Sequence, residues 1–591
     1  MNFNRYFEEE LTFLKNLGPE FGRRWPELAP FLGSDDPNDP AFSRDPDVDR
    51  LFEGFAFLTG RIRQKLDDEF PELIDTLLSV LAPDLLRPQP SATIIEFEPM
   101  QGRVRGATEI PAREVELGAK LGNGAECRFQ TCWPVEVLPL SLQDVASKVL
   151  TDGGLELRLN LVWYDKASPP DLDRLRFHLS GKGAADLYLW FCEHLVRCAL
   201  TGAEVDRSIR LPKPTPLGFV PGEALVLQTA PFDGARLLQE YFAFKAKFLF
   251  VEFSGLKALQ KLGRPKEFAL YLRFRDIPAH QFDLSPANFR LFCCPAVNMF
   301  PADSDPIAVT GERYEYPVQA ADSDLSIHSI QSGQGWLAGT REPRDYEPFV
   351  SLSRKPDTTY YDIKFRRHIV TEEPQAFVSF VTPRQKELVA SRETVVFSLL
   401  CTNGSAAQTV KEGQIHDQTS TSPEYARFRN ISPISPYVPV PTSAERRWQL
   451  LSHMVLSPTA LNDVDRLASM LRMYNIPITA DPPVARANIR RIESISAMRV
   501  APADFMMTSE LDPGGFRVGG YGVSVRGTSV ELDMDGEQFA SEGDLFLFGS
   551  VLNHVFGYCA TLNSATRLTV KNTATGTVHR WTPHVGSQPA L

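Results

Sequence analysis

The sequence of 591 residues lacks the features that mark a membrane or secreted protein. No stretch approaches the run of ~18 apolar residues that a membrane span needs. The opening residues, MNFNRYFEEELTFLKNLG, lack the basic segment and apolar core of a secretory signal. The eight cysteines are scattered without a regular framework, which favours buried thiols over disulfides. We therefore expect a soluble, cytoplasmic protein.

Positive charge is also scarce. The formal net charge is -12 at pH 7, and an acidic surface repels nucleic-acid phosphates and anionic lipid headgroups. The basic clusters are short, such as residues 364–368 and the pair Arg490 and Arg491. Such clusters are more typical of solvated faces or salt-bridge partners than of a nucleic-acid interface. Neither nucleic-acid binding nor direct membrane insertion is therefore expected.

Motifs that carry chemistry are missing or incomplete. Residues 181–183 (Gly-Lys-Gly) lack the spacing of a phosphate-binding loop, so a strand-to-helix turn is the favoured interpretation. Cys192, His194 and Cys198 lie in a predicted helix over residues 184–200, where they do not point toward one metal ion. No Gly-x-Ser-x-Gly or His-Glu-x-x-His pattern occurs. We predict no catalytic residue, no metal and no cofactor, although a site assembled from distant residues escapes such a search.

The first ~90 residues show helical spacing instead. A first helix is predicted over residues 3–17. Asp45 can cap a second helix, and Pro46 suits its first position. Its apolar positions keep helical spacing for about 23 residues, and they are Val48, Leu51, Phe52, Phe55, Leu58, Ile62, Leu66 and Phe70. Pro71 is predicted to interrupt this helix, after which a shorter one continues to Pro83.

These helices are too few to cover all of their own apolar faces. One explanation is packing on the domains that follow, and the other is a bundle completed by another chain. The residues alone do not decide between them.

From residue 91 the pattern changes to short alternating runs bounded by Gly, Pro, Asn and Asp, which predict antiparallel sheets. The clearest runs are residues 93–97, 155–161 and 248–253. Residues 301–360 are predicted to be loop-rich, and the proline-rich stretch 433–441 is interpreted as a hinge.

The last 150 residues predict a small α+β domain. Its predicted elements are helices over 444–456, 461–474 and 543–559, a strand over 522–532 and a hairpin over 567–581. The predicted fold class is therefore a multi-domain α+β protein, mostly β-rich and elongated. It has an N-terminal long-helix region, antiparallel β-rich middle domains and a C-terminal α+β domain. The predicted domains are 1–90, 91–300, 301–441 and 442–591.

Several segments, taken in order, resemble one protein family. The first are residues 45–58 (DPDVDRLFEGFAFL), 65–73 (KLDDEFPEL) and 88–91. Further matches follow at 238–250, 294–300 (CPAVNMF), 400–404 (LCTNG), 448–453 (WQLLSH), 471–474, 525–527, 543–552 (GDLFLFGSVL) and 563–564. Together they cover about residues 5–580 and resemble the TssF family, baseplate wedge subunits of bacterial type VI secretion systems. The chain departs from the family pattern at Asp49 and Gly404, which we interpret as surface variation.

The resemblance implies a cytoplasmic structural subunit docked at the inner membrane through the secretion machinery. It implies wedges of two TssF copies per TssG, which surround the VgrG spike and connect to TssK, TssE and the sheath. In that setting the N-terminal apolar stripe becomes a candidate seam between chains. The candidate partner-binding residues are Leu51, Phe52, Phe55, Leu58, Ile62 and Leu66.

The alternative class is a β-rich ligand- or carbohydrate-binding protein, because strands rich in aromatic residues can build a groove. The sequence has 39 Phe against 15 Tyr and 7 Trp. Such a balance favours packed cores over sugar-stacking platforms, whose aromatic rings carry polar groups.

Overall fold

The computed structural model describes residues 46–586 with gaps, together with residues 7–8, 11–14, 25 and 27. The gaps are at residues 123, 165–170, 203–207, 228–232, 277–283, 312, 323, 338–342, 350–358, 368–373, 382–392, 442–443, 456–462, 508–522, 561 and 563. Of the predicted first helix over residues 3–17, only residues 7–8 and 11–14 are described, and these are helical. The chain forms two compact units, residues 1–81 with 441–454 and residues 82–440 with 455–591. The four domain boundaries stay predictions.

The first unit contains one long helix, α1, which spans Pro46–Leu81 and has 36 residues. It starts where the sequence predicts, with Asp47 and Asp49 in the first turn, where the helix dipole favours negative charge. The predicted interruption at Pro71 is wrong, because the helix continues through it. A proline removes one backbone donor at a cost of about 3 kcal/mol, and the turns on both sides keep their own hydrogen bonds. Among the described residues no helix is long and apolar enough to cross a bilayer.

The remaining helices are shorter. They are α2 (Ala184–Leu189), α3 (Asp233–Phe244), α4 (Ala444–Val455), α5 (Val464–Tyr474), α6 (Pro482–Glu493) and α7 (Glu542–Cys559). A π-helical turn spans Trp190–His194, and 3₁₀ turns span Pro83–Leu86, Pro221–Glu223, Lys245–Phe248, Leu256–Leu262, Pro286–Asn288, Gly404–Thr409 and Gly536–Gln538. Helix α4 belongs to the first unit except for its last residue, and α2, α3, α5, α6 and α7 belong to the second.

The second unit is built of antiparallel sheets, which confirms the predicted β-rich α+β fold class. The strands before residue 300 are β1 (Ala92–Pro99), β2 (Thr108–Ile110), β3 (Glu116–Lys120), β4 (Glu126–Thr131), β5 (Val135–Val137), β6 (Leu140–Val149), β7 (Leu155–Trp163), β8 (Arg174–Leu179), β9 (Leu195–Gly202), β10 (Ser208–Leu211), β11 (Thr215–Leu217), β12 (Phe250–Ser254), β13 (Glu267–Phe274), β14 (Phe289–Leu291) and β15 (Cys293–Val297).

The later strands complete the set. They are β16 (Phe300–Asp303), β17 (Ile307–Val309), β18 (Tyr316–Val318), β19 (Ser326–Leu337), β20 (Arg344–Pro348), β21 (Thr359–Arg367), β22 (Pro374–Val381), β23 (Glu393–Thr402), β24 (Ala426–Asn430), β25 (Ile495–Met507), β26 (Val523–Met534), β27 (Ala565–Asn572), β28 (Val578–Arg580) and β29 (His584–Val585).

These strands form six sheets. Sheet I has the order β24-β1-β15-β4-β3, sheet II β10-β9-β13-β7-β6 and sheet III β11-β12-β8-β14. Sheet IV has the order β16-β23-β19-β20-β21-β22-β18 with β17 also on β23, and sheet V is the pair β2-β5. Sheet VI has the order β25-β26-β27-β28, with β29 also on β27. Only β20–β21 and β26–β27 pair in parallel among the described strands.

The segment over residues 413–417 hydrogen-bonds to the last residue of β24 and to the middle of β3, the two outer strands of sheet I. On the β24 side, Gly413 N donates to Asn430 O at 3.0 Å. On the β3 side, Gly118 and Asp417 exchange two backbone hydrogen bonds of 2.9 and 3.0 Å. Unpaired edges invite pairing with other chains, and these contacts occupy one backbone position on each outer strand.

A buried amide joins sheet I to sheet IV. The Asn298 side chain is fully buried, and its Nδ2 donates to Arg128 O and Asn403 Oδ1, both at 2.8 Å. Its Oδ1 accepts from Thr402 Oγ1 at 2.7 Å and from Asn403 N at 2.9 Å. Gly404 beside it is buried with φ of +58°. The interpretation of Gly404 as surface variation is therefore wrong, since this backbone conformation favours glycine.

The prediction of a loop-rich stretch at 301–360 is also wrong, because it forms much of sheet IV. Strand β19 has the sequence SIHSIQSGQGWL, which lacks a clear apolar alternation. A Cβ at Gly333 would lie 2.6 Å from Phe397 Cε1, and one at Gly335 would lie 2.6 Å from Tyr346 Cε2. Aromatic rings from neighbouring strands thus fill the space that side chains of β19 would occupy.

The predicted helix over 184–200 is only half correct. Helix α2 and the π-helical turn end at His194, and β9 follows, placed between β10 and β13 in sheet II. A short apolar run is compatible with a helix or a strand. Here the run after His194 forms a strand because it pairs with β10 and β13. The strand-to-helix turn before α2 is confirmed, with φ of +85° at both Gly181 and Gly183.

The proline-rich stretch 433–441 does not have the geometry of a free hinge over most of its length. Ser435 N donates to Ala92 O at 2.8 Å, and Ala92 N donates to Ser435 Oγ at 2.8 Å. Val438 and Gln89 exchange two backbone hydrogen bonds of 3.0 and 2.8 Å. Residues up to 438 are therefore fixed along the start of β1.

The C-terminal region contains a parallel β26–α7–β27 unit. Fourteen of the 18 residues of α7 are buried, as expected for a helix that is apolar all round. The predicted helix over 543–559 and the hairpin after it are confirmed. The sequence interpretation missed α6, although Asp481 before Pro482 is a typical start signal, and Asp481 Oδ1 does accept from Val484 N at 3.1 Å.

The close approach of α7 to α2 gives a first prediction. A Cβ at Gly543 would lie 2.3 Å from the backbone carbonyl atoms of Ala185. We expect Gly543→Ala to destabilise the second unit by about 2 kcal/mol or more, because backbone atoms must shift. Thermal unfolding should show a midpoint lower by a few degrees. Gly222→Ala is the control, since a Cβ there meets nothing within 4 Å, and equal midpoints for both variants would contradict the packing.

Candidate functional site

An apolar surface lies on the N-terminal half of α1. Leu51, Phe55 and Leu58 are 70%, 59% and 61% exposed. They are three of the six predicted partner-binding residues. Phe52, a fourth, is half-buried. The side chains of Ile62 and Leu66 lie outside the described residues, although both positions belong to the helix.

The same helix has a second, covered face. Ala56, Ile74 and Leu78 are buried. At about 100° per residue, Ala56 lies about 140° round the helix from Leu51, whereas Phe55 lies only about 40° from it. The exposed apolar residues are thus not the margin of the covered face. They form a separate surface, which we call the α1 face and define by Leu51, Phe55 and Leu58.

Exposed apolar side chains concentrate in the first unit. Among the described residues, nine of the 23 large exposed apolar side chains belong to it, and they are Phe13, Trp25, Leu51, Phe55, Phe57, Leu58, Leu77, Leu81 and Trp448. Isolated exposed apolar residues need no explanation, but several together on one helix mark an interaction surface. Burial of each such side chain stabilises an assembly by about 1.5–3 kcal/mol. The sequence interpretation missed Leu77 and Trp448, and exposure, which a sequence does not give, is what identifies them.

The second unit buries its charges in pairs. Asp544, in the first turn of α7, is 1% exposed and accepts from Lys245 Nζ at 2.9 Å and from Arg491 Nη2 at 3.0 Å. Burial alone would raise the pKa of the Asp544 carboxyl, but Arg491 and Lys245 outweigh it, and the pKa is lowered. This carboxylate therefore stays charged and joins α7 to α6 and to the 3₁₀ turn that follows α3.

His579 forms a second buried ion cluster. Its Nδ1 lies 2.9 Å from Glu193 Oε2, and its Nε2 lies 2.7 Å from Glu542 Oε1. Burial lowers the pKa of the imidazole, but the hydrogen bonds to Glu193 and Glu542 outweigh it and raise the pKa to about 9. Both ring nitrogens donate in the charged form, so the imidazolium links the π-helical turn after α2 to the start of α7.

Neither cluster has the geometry of a catalytic site. In both clusters the charged groups form ion pairs with one another, and neither cluster places a nucleophile beside a base. Cys192, His194 and Cys198 do not converge, since His194 Nδ1 pairs with Asp276 at 3.3 Å and Cys198 is buried in β9. Within the described part of the chain, no group of three or more His, Cys, Asp and Glu side chains is placed to hold a metal ion.

A cleft of about 420 Å³ is large enough to hold a small molecule and is therefore a candidate site for chemistry. It is lined by Ala107, Glu109, Pro134, Val135, Glu136, Leu138, Arg174, Leu175, Arg176, Glu252, Phe292 and Cys293. Glu109 and Glu136 lie opposite each other on β2 and β5. Burial, together with Glu109 and Asp173, raises the pKa of Glu136. Burial also raises the pKa of the Cys293 thiol far above its ordinary value, so this cysteine is a poor nucleophile.

These features define the class of the molecule as a large, β-rich, many-sheeted protein with internally paired charges and an exposed apolar helix face. The chain belongs to the TssF family of the type VI secretion system, since the family described as "Type VI secretion system, TssF" matches residues 1–588. The resemblance found from the sequence is therefore confirmed.

Relatives and solved structures agree with this assignment. The chain is similar to type VI secretion system component TssF1 of Pseudomonas aeruginosa, with 27% identity over 646 aligned positions that cover 99% of each protein. It is also similar to a chain of the TssK-TssF-TssG baseplate subcomplex of the type VI secretion system, solved by cryo-electron microscopy. The identity there is 26%, the TM-score is 0.73, and the match covers 92% of this chain and 100% of that chain.

A chain of the baseplate complex from the type VI secretion system shows the same fold. Its TM-score is 0.57 at 22% identity, with complete coverage of both chains. Type VI secretion, TssF and baseplate, which the sequence indicated, are thus supported by the family, the relative and the structures.

The His579 cluster predicts a pH-dependent stability. The ordinary pKa of 6.5 rises to about 9 in the folded protein, so the stabilisation is complete below pH 6.5 and is lost as the pH rises through about 9. It amounts to at most about 3 kcal/mol. We expect the melting temperature to fall between pH 7 and 9.5, and to fall less in His579→Gln. Equal pH slopes for the variant and the unmodified protein would contradict a charged His579.

Proposed function

We propose that this chain is a structural subunit of a type VI secretion baseplate and assembles with TssG, TssK and a second copy of itself. Membership of the TssF family supports the baseplate role, and the similar chain comes from a complex of TssK, TssF and TssG. The observation that carries the proposal is the α1 face, where Leu51, Phe55 and Leu58 are exposed on one side of a 36-residue helix.

The α1 face fits an α-helical partner. Residues at i, i+4 and i+7 form the narrow apolar stripe that packs into the groove of another helix. We infer that the stripe Leu51, Phe52, Phe55, Leu58, Ile62 and Leu66 is the seam of a bundle formed by two copies of this chain and one TssG. Such wedges would surround the VgrG spike and connect to TssK, TssE and the sheath, in the cytoplasm and docked at the inner membrane through the secretion machinery.

The second unit fits the role of a rigid arm in this proposal. Asn298 links sheet I to sheet IV with all of its side-chain hydrogen-bonding capacity used. Satisfied buried polar networks rigidify a fold. A rigid arm transmits a displacement from one partner to another, which is what a baseplate must do when its conformation changes.

A non-catalytic role follows from the same features. The buried acidic residues of α7, Glu542 and Asp544, are paired with cations of other elements. The thiol that lines the cleft, Cys293, is a poor nucleophile because burial raises its pKa. Ligand or carbohydrate binding is the second candidate function, and this 420 Å³ cleft is where it would occur. A thermal-shift screen with glycans tests it, and a stabilising glycan would support it.

The seam is tested by charging the α1 face. We expect Phe55→Asp with Leu58→Asp to abolish assembly with TssG, because the bound state would bury two carboxylates in place of two apolar side chains. The expected loss is about 4 kcal/mol or more, or ~1000-fold in affinity. Co-expression with TssG followed by size-exclusion chromatography and light scattering measures it. The unmodified complex should contain two copies of this chain per TssG.

The matched control charges exposed apolar residues of the second unit. Val149 and Leu227 are each 59% exposed, so Val149→Asp with Leu227→Asp makes the same chemical change in the second unit and should assemble normally. A Phe55 and Leu58 variant that still binds TssG like the unmodified chain would eliminate the seam.

A further inference from the structure

A cavity of about 50 Å³ lies within the second unit, apart from the cleft and the ion clusters described above. Three chain segments meet there: residues 84–90 before β1, helix α3 and strand β19. They contribute Arg87, Arg236 and His328 to its lining. A water molecule needs about 10–15 Å³ of such space, so the cavity has room for roughly three to five water-sized groups. A small polar molecule therefore fits, and the donors and acceptors of the lining decide which one.

The floor of the cavity is polar and deeply buried. Arg236 and Glu240 of α3 are 2% and 4% exposed, and His328 is 4% exposed. Buried polar groups are nearly always hydrogen-bonded, so a donor that lacks a partner there indicates a ligand or an ordered water. The Arg87 side chain is 30% exposed, so the cavity can be reached from solvent at this residue.

The two carboxylates of the lining are already engaged. Asp84 Oδ1 accepts from Arg87 Nη1 at 2.8 Å. Glu240 Oε2 accepts from Arg236 Nη1 at 2.9 Å and is also paired with Lys247. Each carboxylate thus has a cation of the chain beside it. The arrangement does not favour a cation as the ligand of this cavity.

His328 offers a donor that lacks a partner among the described residues. Its Nδ1 lies 3.1 Å from Ser329 Oγ, which itself accepts from Gln331 Nε2 at 3.3 Å. The Ser329 hydroxyl proton is therefore available to Nδ1, which places the proton of a neutral ring on Nε2. Burial and the charge of Arg87 lower the pKa of His328 to about 3, so the ring is neutral at pH 7. Nε2 donates to no described residue.

One edge of Arg87 offers the second donor pair. Asp84 accepts from Nη1, whereas no described residue accepts from the Nε and Nη2 atoms of Arg87. These two atoms form the planar fork that binds two oxygens of one oxyanion. Because the charge of Arg87 acts on the pKa of His328, the two donor groups are neighbours. An anion bound between them supplies the acceptors that both groups lack.

We propose that this cavity binds a tetrahedral oxyanion of the size of inorganic phosphate, held by the Nε–Nη2 edge of Arg87 and by Nε2 of His328. Two oxygens of the ion accept from Arg87, and a third accepts from His328. A carboxylate has only two oxygens, so it leaves one of these donors unpaired. The bound ion links the segment before β1 to sheet IV, and it stabilises the second unit by mass action.

Isothermal titration calorimetry of the full chain with inorganic phosphate, at constant ionic strength, tests the site. We expect one saturable binding event per chain and a melting temperature that rises with the phosphate concentration. Arg87→Met should weaken binding at least ~10-fold, because two charge-assisted hydrogen bonds are lost. Arg210→Met is the matched control, since Arg210 is an exposed arginine of β10 outside the cavity. It should bind phosphate like the unmodified chain.

A second variant guards against loss of the fold. Arg87→Met removes the cation beside Asp84, whose side chain is only 6% exposed. Arg87→Lys keeps a positive charge there but lacks the planar fork, so it should fold normally and still bind phosphate at least ~10-fold more weakly. Phosphate also stabilises proteins through exclusion from their surface, but that effect does not saturate and is the same in every variant.

Three results would overturn the inference. An unmodified chain without saturable phosphate binding has no such site. Equal affinities of the Arg87→Lys variant and the unmodified chain would mean that phosphate binds elsewhere. Acetate that binds as tightly as phosphate would overturn the choice of a tetrahedral ion. None of these results bears on the seam of α1, which is tested by assembly with TssG alone.

Discussion

The second unit depends on the burial of one helix, α7. A helix with 14 of its 18 residues buried must be covered on every side, and elements far apart in the sequence supply the cover. Gly543 permits the backbone of α2 to approach, and Gly549 leaves the space that the Trp581 ring occupies. The Tyr241 ring of α3 stacks on Phe548 at 5.4 Å. Because packing on all sides is close, the order of sheets around α7 has little freedom.

Buried polar groups fix the rotation of α7 within this packing. Apolar contacts alone would tolerate small rotations of α7, but Asp544 must meet Lys245 and Arg491 together. An uncompensated charge at a position that is 1% exposed would cost several kcal/mol. Asn298 acts in the same way between sheets I and IV, because each of its hydrogen-bonding groups has a partner only in this arrangement. The main effect of these buried groups is to specify one arrangement of the elements, and their net contribution to stability is smaller.

Much of this architecture could be predicted from the sequence, and the failures share a cause. Periodicity found α7, α1 apart from its continuation through Pro71, and a minority of the strands, such as β1, β7 and β26, and the ordered motifs found the family. The periodicity analysis failed at β19, where the Phe397 and Tyr346 rings of neighbouring strands fill the space beside its glycines. It also failed at β9, which is a strand because it pairs with β10 and β13. Local pattern does not contain such long-range information. The motif residues Asn298 and Asn403 matched the family before their direct hydrogen bond gave a physical reason.

The first unit carries nine of the 23 large exposed apolar side chains among the described residues, although it is much the smaller of the two units. The second unit is several times larger and carries the other 14, while buried charges such as Asp544 are paired inside it. On α1, residues such as Phe55 and Leu58 stay exposed although acidic residues flank them, with Asp47 and Glu53 on the same helix. Net negative charge keeps such a surface soluble, while the spacing of its apolar residues selects partners that match it. If the α1 face is the seam, recognition depends on the spacing of apolar residues along a helix and not on a pocket. Only those positions then need to stay apolar, which is compatible with an identity of 27% to the relative TssF1.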